Sequence, residues 1–116
     1  MAEISCLENK ENMMAIQDSM DVLSGKWKIS IISSICFYQK RRFSDILADV
    51  VGISNKMLSQ ELKDLEQNKL VTRTVLNTQP PTVLYELTEH GRSLQSILHI
   101  LIEWGKSHRK VIIGGR

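Results

Sequence analysis

The sequence predicts a mainly α-helical domain with one small β-hairpin ahead of its last helix. Apolar residues recur at helical spacing in successive segments from Met13 onward. Residues 53–71 combine an apolar stripe, Leu58, Leu62 and Leu65, with a polar face, and they follow a break at Gly52. Two segments with strand character, residues 70–76 and 83–87, flank a polar loop that contains Pro80 and Pro81. A chain of 116 residues suits one domain with a single core.

Residues 1–12 are polar and lack a period, so a mobile start is expected there. The folded domain is expected over residues 13–110, with a tail at 111–116. Met13, Ile16, Met20 and Leu23 mark one face of a first helix, which Gly25 ends. Trp27 opens a second helix whose wide apolar face, Ile29, Ile31, Ile32, Ile35, Cys36 and Phe37, calls for a central, buried position. The basic run Lys40-Arg41-Arg42 reads as a turn. Residues 43–50 give a short third helix, capped at Ser44 or just before it.

Ser54 is a good N-cap for the helix that follows, because its hydroxyl can accept an orphan backbone N–H. Two helices joined by a short Gly-containing turn, the second polar-faced, form a helix-turn-helix layout. A β-hairpin directly after such a unit is a wing, here two-stranded. Thr88 caps a last helix that continues to about Arg109. Its apolar residues Leu94, Ile97, Leu98, Ile100, Leu101, Ile102 and Trp104 cover more than one face, and that surplus points to burial against a second subunit. Met13, Ile16, Met20, Leu98, Leu101 and Trp104 are the expected contacts of a homodimer.

The charge distribution narrows the function. Residues 1–24 carry one Lys against five acids, whereas residues 25–75 carry nine Lys or Arg against five acids. Positive charge therefore gathers around the polar-faced helix, as binding to phosphates requires. Asn55, Lys56, Ser59, Gln60 and Lys63 are the expected contacts to double-stranded DNA, since Gln can bond adenine bidentately and Lys can reach guanine or a phosphate. Arg41, Arg42 and Arg73, with Lys40, are expected to clamp the DNA backbone. The wing tip carries no Lys or Arg between Leu76 and Leu84. Asn77, Thr78 and Gln79 would contact DNA there, more weakly than a basic wing.

Other classes of function find little support. No apolar run approaches the ~20 residues of a membrane span, and the N-terminus lacks a signal-peptide layout, so a cytoplasmic location is expected. The two cysteines, Cys6 and Cys36, form neither a disulfide framework nor a metal-ligand spacing. Carboxylates near Cys6 disfavour a thiolate, and Cys36 reads as an inert core residue. His90, His99 and His108 point to alternating faces of a helix, so no metal is expected. No cofactor is expected either, and no phosphate loop, nucleophile elbow or carboxylate constellation supports an enzyme. The alternative to a DNA-binding regulator is a winged-helix ligand-binding or protein-interaction module without DNA binding.

Five motifs, taken in order, resemble the HxlR-type regulators, a branch of the MarR-like winged helix-turn-helix transcription factors. They are Gly25-Lys26-Trp27, residues 42–46 (RFSDI), residues 53–66 (ISNKMLSQELKDLE), residues 80–91 (PPTVLYELTEHG) and Trp104-Gly105. The resemblance implies a homodimer joined through its terminal helices, with two winged helices on a palindromic operator and most simply a repressor. It also implies a sensor of electrophiles or oxidants at a cysteine near the N-terminus, the place Cys6 occupies. Leu7 stands where that family often has proline, and Leu84 where an acidic residue is common.

Overall fold

A computed structural model describes residues 10–114. Most of the expected mobile start, with Cys6, and the end of the expected tail lie outside the described residues. Among the described residues, the chain order is α1 (Lys10–Leu23), α2 (Lys28–Tyr38), β1 (Lys40–Arg42), α3 (Phe43–Asp49), α4 (Asn55–Gln67), β2 (Val71–Leu76), β3 (Thr82–Leu87), α5 (Glu89–Arg92) and α6 (Gln95–Ile113).

α2 is the axis of the core. Ile31, Ile32 and Ile35 are completely buried, each such burial contributing about 1.5–3 kcal/mol. These β-branched residues are modest helix formers, so packing rather than propensity holds the helix. Ile46 of α3, then Leu58, Leu62 and Leu65 of α4, close around it, together with Tyr85 and Leu87 of β3. Trp27 and Phe43 pack against this cluster from its margin.

Local chemistry shapes the helix-turn-helix. Gly52 adopts φ +93°, a left-handed conformation that glycine alone takes at little cost, and it reverses the chain between α3 and α4. Ser54 is extended, and its Oγ accepts the Met57 N–H at 3.0 Å. The expected cap of α4 is therefore present. At α3 the cap is Arg42, just before Ser44: the Asp45 carboxylate accepts the Arg42 backbone N–H at 3.2 Å.

Three features depart from the sequence reading. The basic run at residues 40–42 is a strand rather than a turn. It pairs antiparallel with β3 in the register Lys40 to Glu86, Arg41 to Tyr85 and Arg42 to Leu84. The expected two-stranded wing is thus a three-stranded sheet in the order β1-β3-β2. The last helix is also divided. Thr88 caps only α5, accepting the Gly91 N–H at 2.9 Å, and a turn at Ser93 and Leu94 re-aims the chain into α6. Helical structure begins at Lys10 and runs to Ile113, beyond the periodic apolar residues at both ends.

Gly91 sits at a tight junction. A Cβ placed there would lie 2.1 Å from the Leu70 carbonyl oxygen. The same junction is tied by Thr88, whose N–H donates to Leu70 O at 3.0 Å and whose Oγ1 donates to Lys69 O at 2.7 Å. These bonds lock the end of α4 and the start of β2 to the end of β3.

Candidate nucleic-acid interface

α4 turns its leucines inward and leaves the opposite face uncovered. Asn55, Lys56, Ser59, Gln60 and Lys63 are all exposed, as a helix that reads a groove requires. The wing brings further groups to this face. Arg73 stands opposite Tyr85 in the β2–β3 register, so the two side chains leave the same face of the sheet. Arg73, Ser59 and Lys63 then line one groove of about 460 Å³ between α4 and the sheet, floored by Phe43, Leu62 and Tyr85. Two cations from different elements, together with the Glu66 carboxylate, thus line one concave surface. Asn77 and Gln79 are exposed at the wing tip. Beside them Thr78 Oγ1 donates to Pro80 O at 2.7 Å and lies 2.9 Å from Thr82 Oγ1, which orders the loop.

The arginines of β1 divide. Arg41 does not reach outward as a backbone clamp. Its Nη2 donates to Asp49 Oδ2, its Nη1 lies 3.9 Å from Asp45, and its guanidinium stacks 3.8 Å over the Tyr38 ring. Ser34 donates to the same Asp49 oxygen at 2.7 Å. The Ser34 hydrogen bond, then the Arg41 hydrogen bond, hold the Asp49 carboxyl below the usual range. Arg41 therefore joins β1 to α2 and α3. Arg42 remains exposed, with Nε 3.4 Å from Asp45 Oδ2, and Lys40 is exposed too.

A polar network behind α4 escapes the sequence reading. Lys28 Nζ, from the first turn of α2, donates to Glu61 Oε1 at 2.6 Å and lies 3.5 Å from Asp64 Oδ2. Burial by itself would lower the pKa of this ammonium. The hydrogen bond and charge of Glu61, joined by Asp64, outweigh burial and leave the pKa raised. On the far side of Asp64, Oδ1 accepts from Gln60 Nε2 at 3.4 Å. Spacing alone could have placed Glu61 and Asp64 beside the exposed polar face, but nothing local to α4 names Lys28 as their partner.

The proposed dimer residues divide in a similar way. Met13, Ile16, Met20, Leu101 and Trp104 are exposed, as an interface between subunits would need. Leu98 is 3% exposed and packs into the protomer's own core, so it is withdrawn from the expected interface. Ile97, Ile100, Val111 and Ile112 are exposed on α6 as well. Trp104 stacks on His108 at 4.9 Å between ring centroids, which fixes its orientation on the helix surface. Cys36, expected to be buried and inert, is only partly buried and lines two surface cavities near Arg92 and Gln95. No helix among the described residues is long and apolar enough to cross a membrane.

Comparison with known proteins bears on this arrangement. The sequence profile described as HxlR-like helix-turn-helix matches residues 22–112. The HTH-type transcriptional regulator YtcD of Bacillus subtilis strain 168 is 37% identical over 108 residues, covering 93% of this chain and 85% of its own. A crystal structure of YtcD superposes with a TM-score of 0.76 over 82% of this chain and 96% of that one, at 39% identity. The redox regulator HypR in its reduced form superposes with a TM-score of 0.74 at 35% identity, over 84% of this chain and 96% of that one. The reduced form of the transcriptional regulator YodB from B. subtilis gives 0.68 at 33% identity, over 87% and 91%.

Proposed function

Because the chain belongs to the HxlR-like helix-turn-helix family, and is thereby a DNA-binding transcriptional regulator with a winged-helix fold, we propose that it acts as a homodimer on a palindromic operator and represses transcription there. The observation that supports this reading most is the exposed face of α4, where Asn55, Lys56, Ser59, Gln60 and Lys63 adjoin the groove shared with Arg73. In this reading Lys56, Ser59 and Gln60 meet base edges. Lys63 and Arg73 meet phosphates, with Arg42 and Lys40 at the flank and Asn77 and Gln79 at the wing tip. Two α4 helices of a dimer would enter successive major grooves, about 34–36 Å apart. The exposed apolar faces of α1 and α6 would supply the joint between subunits.

We further propose that the signal is an oxidant or electrophile received at Cys6. Support comes from the similarity to HypR, a redox regulator, and to YodB, whose structure has also been determined after diamide treatment. Modification would release DNA only insofar as it favours one dimer arrangement over the other.

The test uses a duplex enriched by the protein from a randomised pool, titrated by fluorescence anisotropy over a range of salt. A steep fall of affinity with salt and a preference over random duplex are expected. A flat or unmeasurable salt dependence would instead favour a winged-helix module that binds ligands or proteins. Diamide should release the duplex from the parent protein and not from the Cys6→Ser variant. An equal response of the two would remove Cys6 as the sensor.

A further inference from the structure

The reading face of α4 is braced from behind by a side chain of another helix. Lys28 and Glu61 are only 13% and 15% exposed, and they meet at 2.6 Å across the α2–α4 contact. The ammonium is enclosed and already committed to two carboxylates, so it is not a phosphate contact. Asp64 continues the chain outward: one of its oxygens lies 3.5 Å from Lys28, and the other accepts from Gln60 at 3.4 Å. Three side chains therefore run in series from the core side of α4 to its DNA-facing side.

The chemistry of the series has a direction. A glutamine amide is nearly symmetric in shape, but reading adenine requires its oxygen to accept from N6 and its N–H to donate to N7. A carboxylate only accepts hydrogen bonds and an ammonium only donates them. Asp64 therefore draws the Nε2 end of Gln60 toward itself, leaving Oε1 and the second N–H free to face a base. Lys28 holds one Asp64 oxygen and so leaves the other for Gln60.

We propose that Lys28 is a positioning residue for base readout, setting the amide of Gln60 through Asp64. This rests on the reading of α4 as the helix that meets DNA. Lys28 is thereby a determinant of sequence preference that touches no base.

The experiment compares the sequences enriched from a randomised duplex pool by the parent protein and by Lys28→Met, Lys28→Arg, Asp64→Asn and Gln60→Ala. Circular dichroism checks the fold of each variant. Gln60→Ala identifies the base positions that depend on the amide. Lys28→Met and Asp64→Asn should weaken discrimination about tenfold at those same positions, with the salt dependence of binding unchanged. Lys28→Arg, which keeps a donor-only cation, should retain the parent's preference. Asp64 is more exposed than Lys28, so Asp64→Asn carries the test should Lys28→Met fail to fold. Parent-like preference in Asp64→Asn would overturn the proposal. So would uniform loss at all positions with a shallower salt slope in Lys28→Met, because that marks a phosphate contact. A parent protein that enriches no sequence would overturn the DNA-reading function itself, and this proposal with it.

Discussion

Arg41 and Arg73 look alike in the sequence and end in opposite places. Each is a basic residue near α4, and composition alone assigns both to phosphates. Arg73 reaches the groove beside Ser59 and Lys63. Arg41 is held at the protomer's own surface by Asp49, Asp45 and the Tyr38 ring. The carboxylates that claim Arg41 lie four and eight positions along the chain, and Tyr38 precedes it by a turn, so only the fold of α2 onto α3 reveals the competition. The two arginines should part experimentally. Arg73→Ala should lower the slope of log affinity against log salt by about one and weaken binding to all sequences alike. Arg41→Ala should leave that slope unchanged and show its effect in acid. The Asp49 carboxyl, lowered first by Ser34 and then by Arg41, contributes stability that is complete above the unfolded value of about 3.9. That contribution is lost as pH falls through the lower folded value. Without Arg41 the folded value moves back up, so acid unfolding followed by circular dichroism should begin at higher pH than in the parent.

At the scale of elements, legibility followed how local each signal was. α4 could be read almost residue by residue, since its leucine spacing, its Ser54 cap and its Gly52 turn all lie within it or at its edge. β1 could not. Its three basic residues have little strand propensity, and the strand exists because β3 offers a free edge at the right place. The break between α5 and α6 was equally hidden, because neither glycine nor proline stands at Ser93 or Leu94 and Thr88 caps whichever helix follows. Gly91 explains part of that geometry. Its missing Cβ lets α5 lie directly against the Leu70 carbonyl. Gly91→Ala should therefore destabilise the protein by about 1–3 kcal/mol, the range for an overpacked site, as measured by urea unfolding. A variant as stable as the parent would show that this junction relaxes freely.

At the scale of the molecule, the surplus of apolar residues in the terminal helices was evident from the sequence, but its division between inside and outside was not. Leu98 and Leu101 are one helical turn apart, yet the first is buried in the protomer and the second is exposed. Only the path of α6 past α2 decides which is which. If α1 and α6 join two subunits, Leu101→Glu combined with Trp104→Glu should convert a dimer into a folded monomer in sedimentation velocity. Affinity for a palindromic duplex should then fall toward that for a single half-site. A parent protein that already sediments as a monomer would show that α1 and α6 join no second subunit. Whether the exposed face of α4 reads DNA is measured most directly by anisotropy with Lys56→Ala combined with Gln60→Ala. The double variant should stay folded and bind the enriched duplex no better than random duplex; a retained preference for the enriched duplex would show that this face does not read the sequence.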